Sequence, residues 1–468
     1  MVKNILFTLL FVFAMIGCSD DDQEPYVPNG PNDRKGYTYV PDDNFEKNLI
    51  GKGYDDILDD YVLTDNIKDV VEIDVYHRNI KDLTGIEDFS SLEILNCGNN
   101  QLTTIDFSEN TKLKYLNCSQ NQLTNLNISE NSSLDFIECS NNQLTSLDIS
   151  NNLLLTFLRF GNNQLTSLDV SNNTSLTSLY CRDNPLTSLD LSNNKSLWGL
   201  DFSSTQITTI NLSNNISLER LNCTGNQLTN LDVSKNTSLI YLFCHSNQLT
   251  SLDVSNNTSL IMFSCDRNQI SSLDLSNNLS LTDLNCKENQ LTSLDISNNI
   301  SLTDLNCNEN QLTSLDISNN ISLTFLNCDT NQLTSLDVSN NKSLVTLWFQ
   351  SNRLTSLDVS NNPSLERLTC NENQLSSLDV SNNTSLTSLN CAGNQLTNLD
   401  VSNNLSLTGL WCYENQLTSL DVSYNTSLSN LNCQTNPLTC VKVNQTQLDD
   451  IPEDWEKDPE DTYSLDCH

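Results

Sequence analysis

A cysteine returns at a fixed interval along most of this chain. It stands at 97, 118, 139, 181, 223, 244, 265, 286, 307, 328, 370, 391, 412 and 433, and phenylalanine fills the skipped places at 160, 202 and 349. The text around each is like Ser301–Ile321, SLTDLNCNENQLTSLDISNNI, and the period is 21 residues. A period this short specifies a solenoid, in which each unit buries its apolar face against its neighbours and cannot fold alone. Because 97 + 16 × 21 = 433, the regular array has 17 coils. Chain length alone would suggest about three globular domains, but the repeat overrides that count. The same repeat favours recognition over a long surface rather than catalysis in a single pocket.

One coil reads L-x-x-L-x-C-x-x-N-x-L-x-x-L-x-ψ-x-x-N, where ψ is Val, Ile, Leu or Phe; Leu302, Leu305, Cys307, Leu312, Leu315 and Ile317 are the apolar set of one copy. The set falls into two similar halves. In each, the L-x-C or L-x-ψ alternation has the period of a strand with one buried face. Each half closes with an asparagine, such as Asn310 and Asn320. A buried asparagine in a turn satisfies free backbone donors and acceptors, and stacked copies bond coil to coil. Thr205 is the exception in the first of these ladders.

L-x-x-L-x-C-x-x-N-x-L resembles the leucine-rich repeat signature, and the doubled, nested form resembles a bacterial subtype of that family. The resemblance covers about residues 91–443. It implies a mainly β solenoid, a right-handed array with a parallel sheet on its concave side and a second set of short strands opposite. At the usual strand spacing, 17 coils make an array about 80 Å long. The opening Val40-Pro41-Asp42-Asp43-Asn44-Phe45 and the closing Cys440…Cys467 are similar to the caps of such arrays in flavobacterial surface proteins.

The ends carry different information. Residues 1–17 read as a lipoprotein signal peptide: Lys3 supplies the positive charge and Ile5–Ile16 is an apolar run too short to span a bilayer. Met15-Ile16-Gly17-Cys18 resembles the bacterial lipobox, which makes Cys18 the lipidation site. The acidic run Ser19-Asp20-Asp21-Asp22-Gln23-Glu24 that follows resembles the surface-export signal of Bacteroidetes lipoproteins. The expected location is therefore the outer membrane, with the chain exposed at the cell surface and held to the membrane by its lipid alone. Residues 18–36 are rich in Pro, Gly and Asp and read as a flexible tether. Residues 37–70 are an N-terminal cap. Asp42 or Asp43 N-caps a helix through Ile50, and a second short turn or helix covers 54–61. Residues 71–443 are the solenoid, beginning with a degenerate coil in which Val75 takes the cysteine position. Residues 444–468 are an acidic, aromatic C-terminal cap.

Fourteen cysteines form the ladder. They alternate with leucine on the buried face, and phenylalanine replaces them three times. A metal ligand could not be exchanged for phenylalanine, so cysteine here is a small apolar residue. Cys440 and Cys467 stand outside the ladder of a chain expected to be exported. They are expected to form a disulfide that staples the C-terminal cap, worth about 3 kcal/mol in the chain-entropy model.

The formal net charge is -37, from 22 basic and 59 acidic residues. That argues against nucleic acid and anionic membrane surfaces, which are polyanions. Aspartate recurs nine places after the cysteine, from Asp106 to Asp421, with Asn127 and Asn211 in two of the places. Stacked carboxylates repel. Either a hard cation such as Ca2+ bridges them, or each accepts hydrogen bonds from Thr, Ser or Asn of adjacent turns. The second is simpler, so no cofactor is expected and Ca2+ is the one candidate.

If the leucine and cysteine of L-x-C point inward, the residues three and one before the cysteine and one after it point out from the concave sheet. These positions vary while the scaffold hardly changes. They carry Tyr115, Phe136, Phe157, Arg159, Tyr180, Arg182, Arg220, Tyr241, Phe243, His245 and Met262 along the first half, and Phe325, Trp348, Arg367, Trp411 and Tyr413 along the second. Between them lie Asp283, Asp304 and a run of asparagine. Aromatics and arginine are the residue types that dominate protein interfaces, and aromatics also stack on sugars. The expectation is a monomeric, surface-anchored adhesin or capture protein that binds an extracellular protein or glycan on this face. The alternative is a structural spacer without a discrete ligand. Histidine occurs only at 77, 245 and 468, and there is no nucleophile elbow, metal-spaced motif or phosphate loop, so the chain is not expected to be an enzyme.

Overall fold

The fold is that of a computed structural model and is described for residues 34–467. The expected signal peptide, Cys18 and most of the tether lie outside these residues. Three-residue strands such as Asp304–Asn306 recur once per coil, just before the cysteine. Each pairs in parallel with the strand 21 residues on, so that Asp304, Leu305 and Asn306 face Phe325, Leu326 and Asn327. Nineteen such strands form one sheet, from Glu72–Asp74 to Trp455–Glu456. The first pairs only with Ile94–Asn96 and the last only with Asn430–Asn432, so the sheet is open at both ends. Val75 does take the cysteine position of the first coil, since Ile73 pairs with Leu95.

The apolar set of each coil lies inside. Leu302, Leu305, Cys307 and Leu312 are fully buried, and Ile317 is 1% exposed. All fourteen ladder cysteines are free thiols within this core. Burial pushes Cys97 and Cys286 up to about 12, and the rest also shift upward. The thiols stay protonated and act as small apolar groups.

The second half-unit departs from the expectation of a full set of strands. Only Leu420–Asp421, Cys440–Lys442 and Thr462–Ser464 form a second sheet, at the C-terminal end. In the other coils the backbone groups that a ladder would need go to side chains. The aspartate nine places after the cysteine takes the N–H of the serine two residues on, as Asp316 takes Ser318 N–H at 2.9 Å. The asparagine that closes this half donates to backbone of the preceding coil, as Asn320 does to Ile296 O at 3.1 Å and Asn299 O at 2.9 Å.

The first asparagine ladder is more fully bonded. Asn310 donates to Cys286 O, Cys307 O and Asn308 O and accepts from Leu291 N–H at 3.0 Å. It spans two coils and holds the turn after the strand. One residue earlier the backbone is left-handed in every regular coil; Glu288 has φ 51° and Glu309 φ 52°. Glycine occupies that place only at 225 and 393. At Thr205 the amide is missing, and its hydroxyl has one proton to share between Asn226 Oδ1 at 2.7 Å and Phe202 O at 3.1 Å.

The caps close both ends. Asp42 N-caps the helix Asp43–Gly51 and its second oxygen takes Lys81 N–H at 2.7 Å, which ties the cap to the first coil. Where a short turn or helix was expected over 54–61, residues 54–60 run through bends with no helix, and Tyr61 begins a strand. They lead into Tyr61–Leu63, which pairs antiparallel with Tyr37–Tyr39, and the second helix follows at Thr64–Ile67. This stretch is spent on bonds to the cap: Glu46, fully buried, accepts Asp59 N–H at 2.8 Å. At the other end, Gln447 of the helix Gln445–Asp449 donates to Val422 O and Asn425 O, finishing the second asparagine ladder with a glutamine. Cys440 and Cys467 are disulfide-bonded, with Cα atoms 5.7 Å apart. No helix among the described residues is long and apolar enough to cross a membrane.

Candidate functional site

The strand alternation turns the residues three and one before each cysteine outward on the long sheet. Identical residues in consecutive coils are then neighbours at strand spacing, so an aromatic in one row stacks on the aromatic of the next coil. Tyr115, Phe136 and Phe157 form such a stack, with centroids 4.3 Å apart at both steps and ring planes within 12°. Tyr180 continues it at 5.5 Å in a tilted arrangement. Burial, with Glu138 and Asp74 nearby, raises the phenol of Tyr115 above its ordinary value.

Arginine is interleaved with these rings. Arg159 lies 4.8 Å from the Tyr180 centroid and 5.4 Å from Phe157, and Glu138 pairs with it at 3.4 Å. Arg182 is exposed and 3.7 Å from Asp183. Glu138, Arg159, Tyr180 and Arg182, with Tyr76 and Asp201, line a groove of about 540 Å3. Arg220 sits between Tyr241, at 4.7 Å, and Trp198, at 5.8 Å. Trp198 was not among the expected face residues because it stands one place before the strand; Arg220, 22 residues on in the next coil, is what brings it in.

In the second half, Phe325 meets Trp348 edge-on at 5.4 Å. Arg367 is exposed, and Trp411 and Tyr413 are half-buried. The outer edge of the Trp411 ring reaches over Gly409, where an added Cβ would stand 2.5 Å from the indole. Glycine at 409 is therefore what gives this ring its place, and Gly199 does the same for the Tyr180 hydroxyl at 3.0 Å. Phe243, His245 and Met262 stand around a separate notch beside Asp266, Asp283 and Asp304. The face residues thus gather into an aromatic–arginine patch, a carboxylate notch, and an aromatic patch near the C-terminal end.

One carboxylate on this face is strongly shifted. Asp329 is largely buried one place after Cys328, and desolvation pushes it up to about 6, opposed by the Gln350 N–H donated to it at 2.6 Å. The aspartates of the opposite half behave otherwise. Asp316 is held below the ordinary carboxylate range by the hydroxyl and N–H of Ser318. The donors are serines of the same coil, rather than of adjacent turns. Among the described residues no three carboxylate, histidine or cysteine side chains come together as a metal site.

This sheet and its cysteine file have a solved counterpart. The functional domain of InlJ from Listeria monocytogenes, described as including a cysteine ladder, is 36% identical, with a TM-score of 0.67 over 79% of this chain and 77% of that one. This chain belongs to the bacterial leucine-rich repeat proteins. Another leucine-rich repeat structure, YopM from Yersinia enterocolitica, matches at 25% identity and a TM-score of 0.62, over 85% of this chain and 88% of that one. The receptor kinase HAESA from Arabidopsis, solved with the peptide hormone IDA and the co-receptor SERK1, shares the leucine-rich repeat fold at 21% identity and a TM-score of 0.67, over 81% and 76% of the two chains. No family model and no curated protein matches the sequence.

Proposed function

We propose that this leucine-rich repeat protein is a surface-anchored binding protein that recognises an extracellular protein or glycan on the outward face of its long sheet. The observation that carries this reading is the contrast between scaffold and face. The buried positions repeat almost unchanged, while the outward rows hold stacked rings and arginines in patches found nowhere else on the array. Half-buried aromatics and arginine on a rigid support bind at low entropic cost. The same fold carries a peptide hormone in the HAESA complex. Anchoring at Cys18, with the chain displayed on the outer membrane, belongs to the same proposal and is motivated by the lipobox-like end.

The test is a screen of the purified protein against arrays of extracellular proteins and glycans, beside a variant with Trp348, Trp411 and Tyr413 changed to alanine. A partner lost in the variant supports the reading and places the contact in the C-terminal patch. A partner retained there but lost on changing Arg159 and Tyr180 places it in the first-half groove. A folded protein that binds nothing in either array would sink the reading in favour of a structural spacer. For the anchor, Cys18→Ala is expected to abolish incorporation of labelled fatty acid and release the chain from the membrane fraction; continued incorporation would refute it.

A further inference from the structure

In the row three places before the cysteine, the outward side chains run Tyr241, Met262, Asp283, Asp304, Phe325. The two aspartates are shorter than the residues on either side, so the row drops and leaves a gap. Met262 and Phe325 are three strand steps apart, roughly 14 Å between backbones at the usual spacing. The result is a notch of about 490 Å3 walled by Phe243, Met262 and Phe325, with Asp266, Asp283 and Asp304 among its lining.

The charges of this notch are unbalanced. Asp283 and Asp304 are direct partners on adjacent strands, a position in which like charges repel. Thr282 and Thr303 each donate to the neighbouring aspartate, at 2.6 and 2.8 Å, which orients the carboxylates without neutralising them. Asp266 is only 4% exposed, and its Oδ1 accepts from Ser264 and Asn285. None of the three has an ion-pair partner among the described residues. Lys287, the one lysine or arginine of the lining, is 3.4 Å from Glu288, whose charge Arg267 already pairs at 3.0 Å, so Lys287 offsets one of the three carboxylates and two remain in excess. The coil departs from the repeat here as well: Phe263 and Ser264 stand where leucine and asparagine are usual.

Apolar walls over a floor with two more carboxylates than cations complement one kind of group, a cation on an aliphatic stem. We propose that the notch takes a lysine or arginine side chain of the protein bound by the sheet face. The stem lies against Phe243, Met262 and Phe325, and the head bridges the carboxylates of Asp283 and Asp304. This rests on the binding reading above and names the chemistry its partner presents at this point.

The probe is a fluorescein-labelled Gly-Ser-Lys-Ser-Lys-Ser-Gly peptide, with arginine, acetyl-lysine and norleucine counterparts, read by anisotropy with the whole protein at near-physiological salt. Two variants of equal net charge are compared, Asp283→Asn/Asp304→Asn at the notch and Asp274→Asn/Asp295→Asn on the opposite half, each checked for folding by circular dichroism. The expected result is saturable binding of the lysine or arginine peptide, weakened about tenfold or more by the notch variant and less than about twofold by the other, whose charges are exposed and screened. No binding of either basic peptide, equal loss in both variants, or equal binding of the acetyl-lysine peptide would overturn the proposal. Displacement of the peptide by millimolar calcium but not by equivalent sodium would give the notch to a metal ion and overturn it too. If the array screen finds a partner that ignores Asp283→Asn/Asp304→Asn, the notch proposal falls while the binding reading stands. Peptide binding without any array partner leaves the reverse.

Discussion

The two asparagine ladders look equivalent as text, yet their bonding makes them unequal. In Asn310→Ala the carbonyls that lose a donor each keep another: Cys286 O keeps Asn289, Cys307 O keeps Asn331, and Asn308 O keeps Glu288 N–H. Leu291 N–H loses the Asn310 Oδ1 that it bonds at 3.0 Å and is left buried. One orphaned donor costs about 1–3 kcal/mol, and the lost bonds add several tenths each. The expected total is about 3 kcal/mol. In Asn320→Ala the outcome differs. Ile296 O keeps Asn299 N–H and Asn299 O keeps Leu302 N–H, while the Asn320 Oδ1 is already buried without a partner. Removing it relieves an unsatisfied acceptor, so the cost is about 1 kcal/mol or less. Urea denaturation followed by circular dichroism gives the global effect. Because repeat arrays open locally, hydrogen exchange by mass spectrometry over residues 286–312 gives the interface term. Equal costs for the two variants, or a larger one for Asn320→Ala, would refute the bond-by-bond reasoning.

Thr205→Asn restores the missing rung and is expected to raise stability by about 1 kcal/mol, read as a higher urea midpoint with slower exchange around Leu186. Gly85 has φ 100° and an added Cβ would meet Tyr39 O at 2.7 Å; Gly85→Ala is expected to cost about 2–3 kcal/mol, seen as early melting of the N-terminal cap. Burial raises folded Asp329 to about 6 from an ordinary 3.8, so the folded state holds this proton more tightly than the unfolded chain. The stability it supports is complete below about pH 4 and lost as pH rises through 6. Asp329→Asn should therefore stabilise by about 1–2 kcal/mol at neutral pH, after discounting for its partial exposure, and by nothing at pH 3.5; equal gains at both would contradict the burial argument. The ladder thiols should be inert to a thiol reagent in the native protein and titrate as 14 in denaturant; fast native labelling would show that the core is open.

The period, the strand position and the apolar role of cysteine were legible because burial repeats wherever the coil repeats. A phenylalanine at 160, 202 or 349 said what kind of space the cysteine occupies. The second half misled because Leu315 and Ile317 alternate as a strand would, while Asp316 and Asn320 claim the neighbouring backbone groups. Alternation reports burial, not ladder bonding. The left-handed residue of each coil left no trace in the text, since Glu288, Thr330 and Arg267 occupy it; the asparagine rung that follows holds the turn in place of a glycine. The end of the second ladder was hidden for a similar reason, because Gln447 takes over from asparagine one place out of register. Of the outward face, the residues on the strands were readable, while Trp198 and the grouping were not. Met262 and Phe325 stood as the ends of two runs, and the notch between them comes from Asp283 and Asp304 being short.

Every coil of the regular array offers the same two faces to its neighbours, because each strand from Ile94–Asn96 to Gly409–Trp411 pairs with the one 21 residues on. A duplicated coil would bring its own interface with it, so the array can lengthen or shorten at little energetic cost. The notch is different in kind, since it belongs to a junction and not to any single coil. Inserting a unit anywhere between Phe243 and Phe325 would pull its walls apart, whereas inserting one before that span would leave it whole and displace it by about one strand spacing, 4.8 Å. Reach and specificity are thus separable properties of this chain, the first written in the number of coils and the second in which coils are adjacent.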